Sequence, residues 1–432
     1  MNAVLELKNN LGESTLNRST QFTLVKAIAI ICVVLSHAGA SGWLFNFFFI
    51  FHVPVFFLCS GYFFNTKYLN DERTFLMHRI KGLYLPFLRW SLFFLVIHNL
   101  MFYCGVLSEQ FGNAEGGVTH PFTWHQFGQH LWSIVVNMSG YDQFLCGSFW
   151  FFRALLLSSV GFLILFKLLH LSERLQSNVQ VGWGVLIIAL ILTTWKVGDR
   201  IVMTGVAQGG YRELMGIVFM AAGFILRQYN VVARLTWKIA IPCAVLVVLA
   251  AFFFPSSMKW NPSFVDFVSL PIPAIAAFIA LIYVCGFLDK GRNWAKQALV
   301  YIGDRTLYVF AFHLVAFKFV SALKVAFYGL PWDAVGSFPT IFNPQSNVLW
   351  VLLYVIVGVG LPLLWLAGYR LIADKVNLTE KQLVNGVVVV GQYICKCCSY
   401  VCRGIMTLFV SACMNVWNGV KDIIDASSTK EE

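Results

Sequence analysis

The stretch FTLVKAIAIICVVLSHAGASG, residues 22–42, decides the fold of this chain. It is an apolar run about long enough to cross a bilayer, yet it contains Lys26 and His37. The two are eleven positions apart, so on a helix they lie within roughly 20° of one face and about 16 Å apart along the axis. Ionisable groups inside a span usually face a protein interior or a wet cavity, so both are functional candidates. The alternative is a snorkelling lysine at one end and a hydrogen-bonded histidine at the other.

The composition is that of a membrane protein. The chain has 432 residues, of which 59% are hydrophobic and 12% charged, with a mean hydropathy of +0.73. A soluble domain is typically about 25% charged. We therefore expect an all-α polytopic membrane protein of about ten transmembrane helices. The apolar runs that predict them lie at about residues 22–42, 45–64, 83–104, 148–169, 182–195, 211–226, 239–254, 264–288, 299–320 and 347–369.

The basic residues indicate the topology. A net charge of +11 could suggest nucleic acid, but these residues are spread over short loops, which is typical of the positive-inside rule. We expect a lipid bilayer and no nucleic acid as the partner. The predicted outer segments hold few of the 31 Lys and Arg, and the outer loop at about 105–147 holds none, so both termini are predicted to be cytosolic. The four in outer segments are Lys196, Arg200, Lys259 and Lys324.

The predicted spans divide the chain into three parts. We expect a cytosolic N-terminal segment at 1–21, a transmembrane domain at 22–372 and a cytosolic Cys-rich amphipathic tail at 373–432. The tail is apolar but interrupted by basic residues, so it is predicted to form interfacial helices. Neither a metal site nor a disulfide framework is expected, because the eleven cysteines have no regular spacing. The densest group is Cys395, Cys397, Cys398 and Cys402.

The outer loop contains GGVTHPFTWHQFGQH, residues 116–130. Its glycines, histidines and aromatic residues suit contact with a polar ligand, and they equally suit an ordinary ordered loop.

Depth estimated from the span boundaries groups the polar residues of the helices into two sets. One set falls in the outer third of the membrane and predicts a shared polar cavity; it comprises His37, His52, Arg153 and His313. The other set lies at or just inside the cytosolic ends of the first and third helices, where it would form a basic entrance; it comprises Lys26, Arg79, Lys81 and Arg89. The positive-inside rule alone explains Arg79 and Lys81. A basic entrance leading to a histidine-lined chamber fits a phosphate-bearing donor that enters from the cytosol.

This arrangement suits acyl transfer from a thioester to an alcohol. A neutral imidazole is a natural general base for a hydroxyl nucleophile, and we take His37 as that base. Arg153, His313 or a backbone N–H at a helix end could hold the developing oxyanion. A bisubstrate transfer of this kind can be direct and needs no serine nucleophile.

Five motifs in order resemble those of the acyltransferase family 3 of integral-membrane O-acyltransferases. Lys26 and His37 match its Arg/Lys-x10-His motif. The other four are FHVPVFFLCSGYFF at 51–64, HRIKGLYLPF at 78–87, GSFWFFRALL at 147–156 and YIGDRTLYVFAFH at 301–313. The Arg-x-x-Arg often seen before the third helix is incomplete here, since Gly82 follows Arg79, and Lys81 or Arg89 would have to substitute.

The resemblance implies a function and a set of site residues. It implies acetyl-CoA or a related acyl-CoA as cytosolic donor and transfer to a hydroxyl of a surface polysaccharide or lipid-linked glycan. It also implies a multi-pass protein of a bacterial inner (plasma) membrane. His37 is then the catalytic residue, and Lys26 and Arg79 lie on the CoA path. From the depth of the polar residues we also expect His313 and Arg153 to be catalytic and Lys81 and Arg89 to bind the donor. Residues of the second and fourth helices would bind substrate: His52, Ser60 and Trp150.

Two other classes compete with this interpretation. A transporter or flippase for a glycan or lipid-linked sugar would also place histidine and arginine inside the membrane, but it does not need a basic cytosolic entrance at the Lys26–His37 spacing. An intramembrane serine protease is suggested only by the GxSG of residues 39–42, where glycine and serine are common loop residues.

Overall fold

The computed structural model describes residues 2–39, 42–111, 119–171, 175, 177–341 and 347–375, with side chains described within 20–371. This part of the chain is helical and contains no β-strand. Its helices are α1 (Asn2–His37), α2 (Gly42–Phe51), α3 (Pro54–Tyr62), α4 (Glu72–Arg79), α5 (Leu85–Tyr103), α6 (Trp124–Asn137), α7 (Gln143–Cys146), α8 (Trp150–His170), α9 (Asn178–Gly198), α10 (Tyr211–Gln228), α11 (Val231–Arg234), α12 (Trp237–Phe253), α13 (Phe264–Ser269), α14 (Pro271–Asp289), α15 (Trp294–Gly303), α16 (Thr306–Tyr328) and α17 (Val348–Lys375).

Nine helical segments of the described residues are long and apolar enough to cross a membrane. A tenth apolar run forms the shorter helix α12. The prediction of an all-α polytopic membrane protein is confirmed, while the cytosolic location of the termini stays a prediction. The nine segments are Thr20–His37, Gly42–Tyr62, Glu72–Tyr103, Gln143–His170, Asn178–Gly198, Ala207–Gln228, Phe264–Asp289, Thr306–Tyr328 and Val348–Leu371.

By its contacts the chain divides into two compact units, residues 1–364 and 365–432. The cavity and the side chains described below belong to the first unit. Of the second unit, only the end of α17 is among the described residues. The predicted interfacial tail, with Cys395, Cys397, Cys398 and Cys402, therefore lies outside them, as does the serine of the GxSG sequence at residues 39–42.

Helix α10 is the central helix of the first unit. Every residue from Met215 to Ile225 is buried, as expected of a helix that is apolar all round. It packs against α3, α8 and α9. The contact with α3 is close because glycines lie in it: a Cβ on Gly61 would lie 1.9 Å from the carbonyl oxygen of Met220, and one on Gly223 would lie 2.1 Å from that of Leu58. Small residues of this kind let helix backbones approach in a membrane.

Three of the helices differ from the apolar runs. The first run was expected to continue to residue 42, but α1 ends at His37, and Gly39 follows at φ +91°. The run at 45–64 is divided into α2 and α3, since Pro54 lacks the N–H that a continuous helix would need. The third run begins as α4, passes through one π-helical turn at Ile80–Tyr84 and continues as α5.

Candidate active site

A cavity of about 1450 Å³ lies within the first unit. Its wall is built from the helices near the N-terminus, the starts of α8, α10 and α16, and loops before α8, before α10 and in the later part of the chain. Aromatic and aliphatic side chains form most of this wall. The cations that line it are Lys26, Arg79, Arg212 and Lys259, the histidines are His37, His52 and His78, and no aspartate or glutamate is among the described lining residues.

The cavity has two ends, and each lies near one end of helix α10. Arg227, near the end of α10, donates to the carbonyl oxygens of Tyr62 and Phe64 at 3.3 and 3.0 Å, just beyond Ser60 and Arg79. Arg212 lines the cavity near the start of the same helix. The two arginines are fifteen residues apart, which corresponds to about 22 Å along the helix. We call these the Arg79 end and the Arg212 end.

The Arg79 end contains two of the basic residues predicted to bind the donor. Lys26 and Arg79 both line the cavity, and Arg79 Nη2 donates to Ser60 Oγ at 2.8 Å. Ser60, predicted to bind substrate, thus helps to hold Arg79. The guanidinium also lies over the ring of Phe75, 5.0 Å from its centroid. Lys81 and Arg89 are exposed and do not line the cavity.

Helix α4, which carries Arg79, begins at a carboxylate cap. Asp71 Oδ1 accepts a hydrogen bond from the N–H of Thr74 at 3.2 Å, as N-cap residues commonly do. The hydrogen bonds with Thr74 lower the pKa of Asp71. The cap is therefore in its charged, stronger form at neutral pH and weakens as the pH falls through that lowered value.

His37 lies at the C-terminal end of α1 and lines the cavity. Its Nδ1 is 3.0 Å from the carbonyl oxygen of Val33. A carbonyl only accepts, so we assign the proton of the neutral ring to Nδ1. Nε2 then carries the lone pair, which is the atom that a general base needs.

His52 and His313 are oriented in the same way. His52 lies between α2 and α3, lines the cavity, and points Nδ1 at the carbonyl of Phe48, 2.5 Å away. Nδ1 of His313 is 2.9 Å from the carbonyl of Phe310. The rings of His37 and His313 are 5.3 Å apart between centroids, and Nε2 of His313 is buried without a hydrogen-bond partner among the described residues. The structure thus brings His37, His52 and His313 to one region.

Arg153 lies in the wall beside the cavity. It is buried, and its Nε donates to Glu213 Oε1 at 3.0 Å. Phe152 and Leu155, on the same helix, line the cavity, but Arg153 does not. Its Nη2 is buried without a hydrogen-bond partner among the described residues, so the two N–H bonds of that nitrogen can donate to a further acceptor.

Trp150, predicted to bind substrate, lies at the Arg212 end. The guanidinium of Arg212 lies over its indole ring, 3.7 Å from the centroid. Arg212 is held from two further sides, since Nε donates to the carbonyl of Met258 at 2.7 Å and Nη1 donates to Gln208 Oε1 at 2.6 Å.

Several residues of this region were not predicted from the sequence. Glu213 could have been identified from the sequence, because a carboxylate inside an apolar run needs a partner of opposite charge. Arg153, which also lies inside an apolar run, is such a partner. Arg212 gives no such signal, because it stands at the beginning of its run. Lys318 looks like a stray cation in an apolar helix, yet its Nζ donates to the carbonyls of Val335, Gly336 and Ser337.

The fold and the cavity together define a polytopic helical membrane protein with a histidine-lined, cationic internal chamber. A family model described as an acyltransferase domain matches residues 20–366. The chain therefore belongs to the acyltransferase family 3, and it is a multi-pass membrane protein of that family. Searches of curated proteins and of solved structures found no match. Among the described residues there is no group of three His, Cys, Asp or Glu side chains that could hold a metal ion.

Proposed function

We propose that this protein moves an acyl group, normally acetyl, from acyl-CoA to a hydroxyl of a surface polysaccharide or a lipid-linked glycan. The observation that carries the proposal is a single cavity with Lys26 and Arg79 at one end and His37, whose Nδ1 faces a backbone carbonyl, further along it. Membership of an acyltransferase family favours this function over the alternative of a glycan transporter or flippase.

The donor enters at the Arg79 end. The phosphates of CoA pair with Arg79 and Lys26, because the planar guanidinium and the compact ammonium both suit phosphate. Its long, thin arm then extends along the cavity, so that the thioester reaches His37. Lys26 and His37 are eleven residues apart on one helix, about 16 Å along its axis. The mostly aromatic and aliphatic wall suits the uncharged part of the arm.

His37 acts as the general base of a direct transfer. Its Nε2 takes the proton from the acceptor hydroxyl as the oxygen forms a bond to the thioester carbonyl carbon. The carbon–sulfur bond then breaks, and the CoA thiolate leaves and takes up that proton from His37. An ester and free CoA result, and His37 is again neutral.

The oxyanion that forms between these two steps needs a hydrogen-bond donor to stabilise it. We favour Arg153 over His313, because Arg153 adjoins the cavity-lining Phe152 and Leu155 and its Nη2 has no hydrogen-bond partner among the described residues, so that a turn of the side chain into the cavity would bring Nη2 to the oxyanion. Neutral His313 has its only proton on Nδ1, which faces backbone carbonyls.

The test is transfer of label from radiolabelled acetyl-CoA to a crude lipid-linked glycan extract by purified protein in lipid vesicles. We expect wild type to label glycan, and His37→Ala to lose the activity while it still inserts and binds CoA. His125→Ala, which changes an exposed histidine of α6, is the matched control and should transfer normally. Arg79→Ala and Lys26→Ala should mainly raise KM for acyl-CoA. Equal transfer by wild type and His37→Ala would remove His37 from the mechanism, and no transfer by wild type would count against the function.

A further inference from the structure

The Arg212 end of the cavity has a chemistry of its own. Arg212 lies fifteen residues from Arg227, about 22 Å along α10, and Arg227 contacts the Tyr62–Phe64 segment that follows Ser60, the partner of Arg79. One group of phosphates is too small to reach both ends. The polar side chains that line the Arg212 end are mostly amides, hydroxyls and cations, and indole rings stand among them. They are Trp150 and Gln208, which contact Arg212, Arg212 itself, and Ser257, Lys259, Trp260 and Asn261 around its partner Met258.

Amides and indole rings are typical of a site that binds sugar. Carboxylates, the usual hydrogen-bond acceptors for sugar hydroxyls, are not among the described residues of this wall. A neutral sugar presents hydroxyl donors, and ionised carboxylates are the strongest acceptors that side chains can offer them. None of the described residues that line this cavity is an aspartate or glutamate. The charged side chains of the lining are instead donors only, since Lys and Arg accept no hydrogen bond. The chemistry of this wall therefore favours a ligand that supplies the hydrogen-bond acceptors itself.

Arg212 is the main cation of this end because it is held in place. Its guanidinium is fixed by the carbonyl of Met258, by Gln208 and by the indole of Trp150. Lys259 contributes less, since it is half exposed and its Nζ pairs with Asp266 Oδ1 at 2.9 Å. An arginine held in this way loses little conformational freedom when it binds an anion, and its planar fork matches a carboxylate or a phosphate.

We infer that the acceptor carries an anionic group, a carboxylate or a phosphate, which is bound at the Arg212 end while a hydroxyl of its glycan reaches His37. This inference rests on the proposed function and specifies its acceptor. Two sources supply the anion: an acidic group of the glycan itself, or the phosphate that links a glycan to its lipid carrier.

Product analysis separates these sources. Wild-type protein in vesicles is given radiolabelled acetyl-CoA and the crude lipid-linked glycan extract, and the labelled product is run on an anion exchanger before and after mild acid cleavage of the sugar–phosphate link. Retention both times indicates an acidic glycan, and retention only before cleavage indicates the linking phosphate. Label in the unretained fraction from the start would overturn the inference while leaving the transferase intact. No labelled product at all would instead count against the proposed function, and the acidic acceptor would fall with it.

Variants of Arg212 supply the second readout. Arg212→Gln should raise KM for the extract by roughly 10-fold to 100-fold, the range for loss of a hydrogen bond to a charged group, with KM for acyl-CoA unchanged. Arg212→Lys should recover part of the loss, which also shows that the variants fold. The matched control is Arg200→Gln, an exposed arginine of the segment between α9 and α10 that is not in the cavity wall. The same acceptor KM in Arg212→Gln and Arg200→Gln would overturn the inference.

Discussion

Three histidines use one local hydrogen bond to set their tautomer. In His37 and His52, Nδ1 faces the carbonyl of the residue four positions earlier, at 3.0 and 2.5 Å, and in His313 it faces the carbonyls three and four positions earlier. A neutral ring held in this way always offers Nε2 as an acceptor. The helix therefore prepares each imidazole as a base before any substrate binds, and only the surroundings of Nε2 distinguish the three residues.

We expect His313 to support His37 without contacting the donor phosphates. When His37 takes the hydroxyl proton it becomes an imidazolium beside the ring of His313, 5.3 Å away, whose Nε2 has no partner among the described residues. His313→Leu removes the polar atom beside that imidazolium and should lower kcat roughly 10-fold to 100-fold, the range for loss of a polar contact to a charged group. Steady-state kinetics would measure it, with KM for acyl-CoA unchanged. His313→Gln keeps an acceptor and should recover part of kcat. A kcat for His313→Leu equal to that of wild type would contradict this role.

The polar side chains were identified from the sequence more readily than their partners. Lys26 and His37 could be found because they share one face of one helix and interrupt an apolar run. The pairing of Arg153 with Glu213 joins two helices through residues sixty positions apart, and that proximity depends on how α8 packs against α10. Lys324 was expected in an outer loop, but α16 continues past it, and its Nζ donates to the carbonyl of Ile341 at 2.9 Å.

At the scale of helices, hydropathy predicted the spans, and local chemistry decided where they break. Proline was the signal for the division of the run at 45–64, since Pro54 occupies the first turn of α3. Two glycines of the family motifs lie at close contacts between helices, and the hydropathy of the sequence does not show these contacts. Gly61 lets α3 approach α10, and a Cβ on Gly303 would lie 2.2 Å from the carbonyl oxygen of Thr23, where α15 meets α1. These contacts could not be assigned from the sequence, because they depend on which helices are neighbours.

Helix α16 holds a loop in the wall of the cavity. Lys318 is buried, and its Nζ donates to the carbonyls of Val335, Gly336 and Ser337 at 3.1, 3.2 and 2.8 Å. The three residues that follow, 338–340, line the cavity. An ammonium with three backbone acceptors satisfies all its donors, so this lysine positions the loop.

We expect Lys318→Met to release that loop. The substitution leaves three carbonyls without their donor, and buried polar groups without a partner are costly. KM for the glycan extract should rise several-fold while KM for acyl-CoA stays within about twofold, and the thermal midpoint in detergent should fall. Lys318→Arg should restore part of the acceptor KM. Lys290→Met changes an exposed lysine after α14 and is the control. Equal changes in both KM values would show a general loss of structure instead of a positioning role.

At the scale of the whole molecule, the cavity separates two chemistries that a membrane enzyme must keep apart. One end has the cations that we propose bind CoA, and the other has the amides, the indole rings and Arg212. Between them His37 is near the end of α1, so only the acyl group has to move from one substrate to the other. Hydropathy alone could not show which residues line either end, because that depends on which helices pack together.

The two ends should therefore be reached from opposite sides of the membrane. His78 lines the cavity beside Arg79, and Gln208 lines it beside Arg212. In sealed vesicles of one orientation, we expect His78→Cys and Gln208→Cys to react with a membrane-impermeant maleimide from opposite sides, as quantified at each site by mass spectrometry. CoA should protect the cysteine at position 78 and not the one at 208, because its phosphates occupy only the Arg79 end. The exposed native Cys104 serves as the internal standard for sidedness. Reaction of both engineered cysteines from one side would mean that the cavity does not connect the two faces, and a transfer across the membrane through His37 would be ruled out.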